Sequence, residues 1–289
     1  MKKLFAMFLA LVMTVAMAVS MTGCKEKEFV GFDIDLAKAV AEKLELKVDF
    51  VEINWSMKEA ELDNKSIDVV WNGFTYTQAR DDGYYDEDRK QQIGGLDFSG
   101  MYMKNKQVAV VKKDKVADYD TLDEIKAAST FVAEDGSAGI DVISNVFEKT
   151  PVAVEKQLDI FNEISSGTSD VGVLDAVMAG YYITAETGVY HDSLAVVEFE
   201  GAEEEFYAIG FREGSNLTAV FNNVLAGLWA DGIILEIATE YGLQDVIVND
   251  FGEYNADFVY PTDGDYKLIK DKGEFVLGYT LFAPMAYNV

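Results

Sequence analysis

Apolar positions along this chain switch repeatedly between two periods. "NLTAVFNNVLAGLW" carries Leu217, Val220, Phe221, Val224, Leu225 and Leu228 at offsets 0, 3, 4, 7, 8 and 11, which predicts an amphipathic helix. "GFDIDLAKAVAEKLEL" repeats that spacing at Leu36, Val40 and Leu44, with Asp33 or Asp35 available to cap its start. "GIILEIATEYGL" predicts a further helix that Gly242 can end. "LKVDFVEI" alternates as a strand, and "SIDVVW", "KQVAVVKK", "TFVAE", "DVGVLD", "LAVVEFE" and "EFYAIGF" are apolar runs of strand length. Ser56 with Glu59, and Thr121 with Glu124, have capping-box spacing and predict two short helices. "QDVIVNDFGEYNADFVYPTDG" has little periodicity and reads as a linker or a surface loop. After it, "DYKLIKDKGEFVLG" returns to an amphipathic stretch and a strand.

Strands that alternate with helices imply an α/β fold with mostly parallel sheets. In such sheets ligands bind beyond the carboxyl ends of the strands, where loops and helix N-termini converge. "WNGFTYTQAR", "AEDGSAG" and "VLDAVM" fit that place.

Composition narrows the chemistry. The 289 residues suffice for one large domain or two lobes. With 24 basic and 51 acidic residues the formal charge is −27, which disfavours nucleic acid as a partner. One Cys and one His exclude an intrachain disulfide and argue against a Cys/His zinc site. His191 sits in "VYHDS" with no nucleophile motif beside it, and the phosphate-loop and dinucleotide glycine patterns are absent, so no metal or cofactor is expected.

The first residues read as an address. Lys2 and Lys3 precede an apolar run from Leu4 to Val19, the pattern of a secretory signal, although an uncleaved membrane helix has nearly the same length. "MTGC" resembles the bacterial lipoprotein box, which implies cleavage after residue 23 and a lipid on Cys24. That would hold the protein outside the cytoplasmic membrane.

The remaining motifs carry a family resemblance. "FVGFDIDLAKAVAEKL", "INWSMKEAELDNKSIDVVWNGFTYTQAR", "LDFSGMYMKNKQVAVV", "AEDGSAG", "SDVGVLDAVMAG" and "EFYAIGFREGSNL" look like the amino-acid-binding proteins of ABC importers, in family order over about 29–244. The family's opening strand and aromatic, Pro-marked turn are missing before "GFDIDL". "GEFVLGYTLFAPMAYNV" supplies such a piece at the other end of the chain, so the sequence looks like a circular permutant. The resemblance implies the two-lobe periplasmic-binding-protein fold, each lobe a mostly parallel sheet flanked by helices. Lobe 1 would span 24–104 and 206–289, with a permutation linker at 243–265, and lobe 2 would span 105–205. Two crossover strands, near 102–106 and 204–207, would join them around a ligand cleft.

A free amino acid presents a carboxylate, an ammonium and a side chain, and a site needs a partner for each. The resemblance makes Arg80 the carboxylate's bidentate partner, with the Thr75 hydroxyl and the backbone N–H groups of Ser137 and Ala138. Arg89, in the acidic insert 81–95, is a rival for Arg80. Asp175 is the counter-charge for the ammonium, with the carbonyl of Asn72 or Gly73, and it also stands where a helix N-cap is expected. Phe282 and Trp55 match two aromatic walls, or are plain core. Thr280 stands where relatives often have Asp, and Glu134 where others have Lys or Gln, which leans toward a polar or basic ligand. The insert lacks EF-hand spacing for calcium.

The function implied is therefore a monomeric, lipid-anchored binding protein that presents an amino acid to permease subunits, and not an enzyme. Two alternatives remain open on sequence: an enzyme resembling cyclohexadienyl dehydratases, for which Glu134 is the acid or base available, and a ligand-sensing subunit for a receptor.

Overall fold

A computed structural model describes residues 28–86 and 90–289, so the signal-like leader, Cys24 and Arg89 lie outside the described residues. One five-stranded sheet runs in the order β2 (Lys47–Glu52), β15 (Glu274–Tyr279), β3 (Val69–Val70), β14 (Gly210–Arg212) and β6 (Leu96–Phe98). The other runs β10 (Val152–Val154), β9 (Phe131–Glu134), β11 (Val171–Asp175), β8 (Gln107–Lys112) and β12 (Leu194–Val197). Between the sheets, β7 (Met103–Asn105) and β13 (Glu205–Tyr207) form an antiparallel ladder.

The sheets are mostly parallel in strand direction, as expected, with one reversed strand in each. In each sheet four of the five strands run the same way, and one, β14 or β8, runs against both of its neighbours. The reason lies in the connections. Parallel pairing needs a long crossover, usually a helix. β8 and β14 follow directly after β7 and β13, so they enter their sheets from the opposite end.

β15, close to the C-terminal end, is an interior strand of the first sheet, seated between β2 and β3. β15 pairs along its whole length with β2, from Glu274↔Lys47 to Tyr279↔Glu52, and on its other side with β3 at Leu277↔Val69 and Gly278↔Val70. Phe275 and Leu277 are fully buried, and the Phe275 ring meets that of Phe221 edge-on at 5.4 Å. Phe221 belongs to the helix Leu217–Ala230, whose apolar stripe covers this sheet together with the helix Phe32–Lys43. The two described ends of the chain meet: β1 (Phe29–Val30) pairs with β16 (Tyr287–Asn288), and the Val289 N–H donates to the Glu28 carbonyl at 3.0 Å. The aperiodic stretch is held to the hinge: Lys104 N–H donates to the Val246 carbonyl at 2.8 Å and Val248 N–H to that of Tyr102 at 2.9 Å. A small hairpin, β4 (Tyr84–Asp86) with β5 (Gln91–Ile93), forms in the acidic insert.

Some local expectations change. Thr121 and Glu124 form the capping box. Ser56 does not cap a helix: Asn54 Oδ1 accepts both its N–H (3.0 Å) and its hydroxyl (2.8 Å), so a 3-10 turn precedes the helix Lys58–Asp63. Neither Asp33 nor Asp35 caps its helix. Gly31 holds that position at φ 142°, where a Cβ would lie 2.1 Å from the Met285 carbonyl oxygen. Among the described residues no single helix is long and apolar enough to cross a membrane.

Candidate functional site

The first parallel strands of both sheets end at the gap between the lobes, and their C-terminal loops face one another. Trp55, Asn72, Gly73, Thr75, Arg80, Thr280 and Phe282 line one side of a cavity; Glu134, Ser137, Ala138, Gln157 and Asp175 line the other. The space in it open to water-sized spheres is about 20 Å³, room for about one water. All ten residues selected on sequence are on this wall, and all ten are buried. Gln157 was not foreseen, and Thr280 was read only as a position that differs among relatives.

The two lobes touch around this cavity. Lys58 Nζ and Arg80 Nη2, from one lobe, donate to the Gly136 carbonyl of the other at 3.1 and 3.3 Å. Nearer the surface, Lys156 pairs with Glu52 at 2.6 Å. The arrangement is that of a closed cleft.

Arg80 leaves a short helix, Gln78–Asp82, that Thr77 caps through the Arg80 N–H at 3.2 Å. Its guanidinium lies over the Phe74 ring, 5.0 Å from the centroid, and Nη1 donates to the Thr75 carbonyl at 2.6 Å. Among the described residues no carboxylate forms an ion pair with it, although it is 7% exposed. A buried guanidinium with spare donors favours an anionic partner from outside the chain. The expected backbone donors are halved: the Ser137 N–H turns back to the Glu134 carbonyl at 3.1 Å. Ala138 begins the helix Ala138–Asn145, and its N–H has no intrahelical acceptor.

Opposite stands Asp175, the last residue of β11. Its Oδ1 accepts from Asn105, from Gln107 Nε2 at 3.1 Å and from the Tyr207 hydroxyl at 2.9 Å, and its Oδ2 from Gln157 Nε2 at 2.7 Å. Burial raises its pKa against the pull of those four donors. Beside it, Glu205 accepts from Gln107 at 2.9 Å, Asn105 at 3.2 Å and the Thr75 hydroxyl at 3.3 Å. Burial and then Asp175 raise the Glu205 carboxyl as well. Both crossover strands contribute to this network, so the hinge and the cleft wall are one hydrogen-bonded unit.

Glu134, the last residue of β9, is 3% exposed, and its Oε1 has no partner among the described residues. Burial first, then the Asp175 charge, push its carboxyl up to about 8. Two further polar atoms of the wall, Gln157 Oε1 and Asn72 Nδ2, also lack partners among the described residues. Asn72 Oδ1 is taken by Thr280, through its N–H at 2.7 Å and its hydroxyl at 3.0 Å. The aromatic walls are Trp55, edge-on to Phe74 at 5.3 Å, and Phe282, edge-on to Tyr207 at 6.3 Å.

The cavity therefore joins a guanidinium with no carboxylate ion pair among the described residues, a hydrogen-bonded carboxylate and two aromatic faces, the complement of a zwitterion with a side chain. Comparison with known proteins agrees. The profile of the bacterial extracellular solute-binding proteins, family 3, matches residues 14–244, and the chain belongs to that family. It is 28% identical over 208 residues to an arginine-binding extracellular protein of Bacillus subtilis, covering 70% of this chain and 74% of that one. Its fold is similar to that of an ABC uptake transporter substrate-binding protein from Streptococcus pneumoniae with bound histidine. That match has a TM-score of 0.64 and 31% identity, over 75% of this chain and 85% of the other. It is also similar to an ancestral amino acid-binding protein described as a precursor of cyclohexadienyl dehydratase, with a TM-score of 0.62 and 28% identity over 73% of this chain and 84% of that one. The fold is thus that of the periplasmic-binding-protein type 2 amino-acid binders, and the class is a solute-binding protein of ABC importers.

Proposed function

We propose that this protein captures a free amino acid, polar or basic, in the interlobe cleft and delivers it to the permease of an ABC importer. The observation that carries this reading is the buried Arg80 guanidinium, which forms no ion pair with a carboxylate among the described residues and lines the same interlobe cavity as Asp175. Arg80 would take the ligand carboxylate with the Ala138 N–H. Asp175 would take the ammonium, with the Thr75 hydroxyl oxygen accepting beside it. Trp55 and Phe282 would flank the side chain. Closure buries the ligand and creates the surface a permease reads. The lipoprotein-like box at Cys24 supports anchoring outside the membrane. The interior seat of β15, beyond the residues the family profile matches, supports the reading as a circular permutant.

The test is a melting scan of the ligand-stripped protein against the twenty amino acids. A ligand at a hundred times its dissociation constant adds about 2.7 kcal/mol. The reading requires a rise with one or a few amino acids that Arg80→Ala removes. A flat scan with a cooperative melt overturns it.

A second reading, an enzyme acting on a cyclohexadienyl acid, is favoured by the burial of Glu134 at the cavity, which pushes its carboxyl up to about 8, in the direction a general acid needs. Turnover of such an acid, lost in Glu134→Gln while binding survives, would establish it. A role as the ligand-sensing subunit of a receptor uses the same closed state.

A further inference from the structure

We infer that Glu134 is the specificity-determining residue of the cleft, and that it selects an amino acid whose side chain is a cation with several N–H donors, a guanidinium above all. The inference rests on the amino-acid-binding reading and deepens it.

The lobe-2 wall is short of donors. Glu134 Oε1 and Gln157 Oε1 both face burial without a partner among the described residues, and both residues line the cavity. Leaving a buried acceptor unmade costs free energy that a ligand donor recovers. Among the described residues no cation donates a hydrogen bond to Glu134 Oε1, Arg80 of the same cavity included. Lys58, whose charge reaches Glu134, forms an ion pair with Glu59 at 3.0 Å and donates to the Trp55 carbonyl at 3.3 Å and the Gly136 carbonyl at 3.1 Å. The other charges acting on Glu134 are Asp175 and Asp135, both acidic. The Gln157 backbone N–H pulls its carboxyl down, against burial. A guanidinium offers five coplanar N–H groups, enough for Glu134 and Gln157 together, and stacks on aromatic rings such as Trp55 and Phe282.

A proton linkage follows. Glu134 holds a proton below about pH 8, with burial and Asp175 as the causes. A cation arriving at Oε1 favours the carboxylate and displaces that proton. Affinity for the cationic ligand then falls as pH drops below about 8, approaching tenfold per pH unit, and levels off above it.

The experiment compares arginine with citrulline, which keeps the shape, the α-ammonium and the α-carboxylate but has no side-chain charge. Titration calorimetry of the ligand-stripped protein is run from pH 6 to 9 in buffers of different ionisation enthalpy. Arginine should bind at least about tenfold tighter than citrulline and should release close to one more proton per site at pH 7. Because citrulline shares the backbone groups, this difference excludes protons shed by Asp175. Glu134→Gln should erase both differences. The proton count of the unmodified protein decides the matter should that variant fail to fold. Equal affinities, or equal proton release, overturn the inference while leaving an amino-acid binder. Binding of no amino acid at all overturns the parent reading too.

Discussion

The Gly73 backbone N–H donates to Asp33 Oδ2 at 2.7 Å, joining the first turn of one helix to a loop of the ligand cavity. The Tyr102 hydroxyl donates to the same oxygen at 3.1 Å. Asp33 is thus a positioning residue: it holds a cleft loop without touching the cavity itself.

This contact predicts a pH dependence. Burial pushes the Asp33 carboxyl up to about 7, above its ordinary value of 3.8. A raised carboxyl is harmless to stability where both states are protonated. It costs stability progressively as pH rises from about 4 to about 7, because the unfolded chain gives up the proton first. Asp33→Asn should therefore gain stability relative to the native protein across that window and hold its gain above it. Urea denaturation at pH 4, 5, 6, 7 and 8 measures this. A variant that loses ground as pH rises would mean that Asp33 is held charged.

Gly73 itself admits no side chain. Its φ is +57°, and a Cβ would lie 2.5 Å from Phe282 Cε1. Gly73→Ala should cost about 1–3 kcal/mol from the left-handed backbone and the displaced ring together. It should also weaken ligand binding, since Phe282 lines the cavity. Denaturant midpoints and a binding titration read the two effects. An unchanged midpoint would mean that the ring moves aside freely.

The adjacency of the two described ends gives a third prediction. Joining Val289 to Glu28 and opening the chain between residues 252 and 262 should give a protein with the same fold, since Val289 already bonds to Glu28 and that stretch contains no strand or helix. Its cooperative melt and ligand affinity should match those of the native order. Loss of folding would show that the present order is needed to seat β15.

Much of the cleft was legible in the residues because it is built from local motifs. "WNGFTYTQAR", "AEDGSAG" and "VLDAVM" each combine a strand end with a turn or a helix start, and all three converge on the cavity. The hinge network was not legible. Asn105, Gln107, Gln157 and Tyr207 reach Asp175 from elsewhere in the chain, Asn105 from 70 residues away. No local pattern signals such a meeting. Asp33 shows the same limit from the other side. Its place at a helix start predicts a cap, yet its buried carboxylate is drawn to Gly73 and Tyr102.

By itself the amino-acid sequence determined what short-range physics controls: the helical stripe of Leu217–Ala230, the Thr121 capping box, the strand-length apolar runs, and the family motifs in their order. Only the tertiary structure decided what depends on bringing distant segments together. It set β15 between β2 and β3, turned β8 and β14 antiparallel, and left Arg80 and Glu134 buried with unspent hydrogen-bonding capacity. Hydrophobic periodicity reports which face of a segment is buried, not which neighbour buries it. The chemistry of a cleft depends on the neighbour.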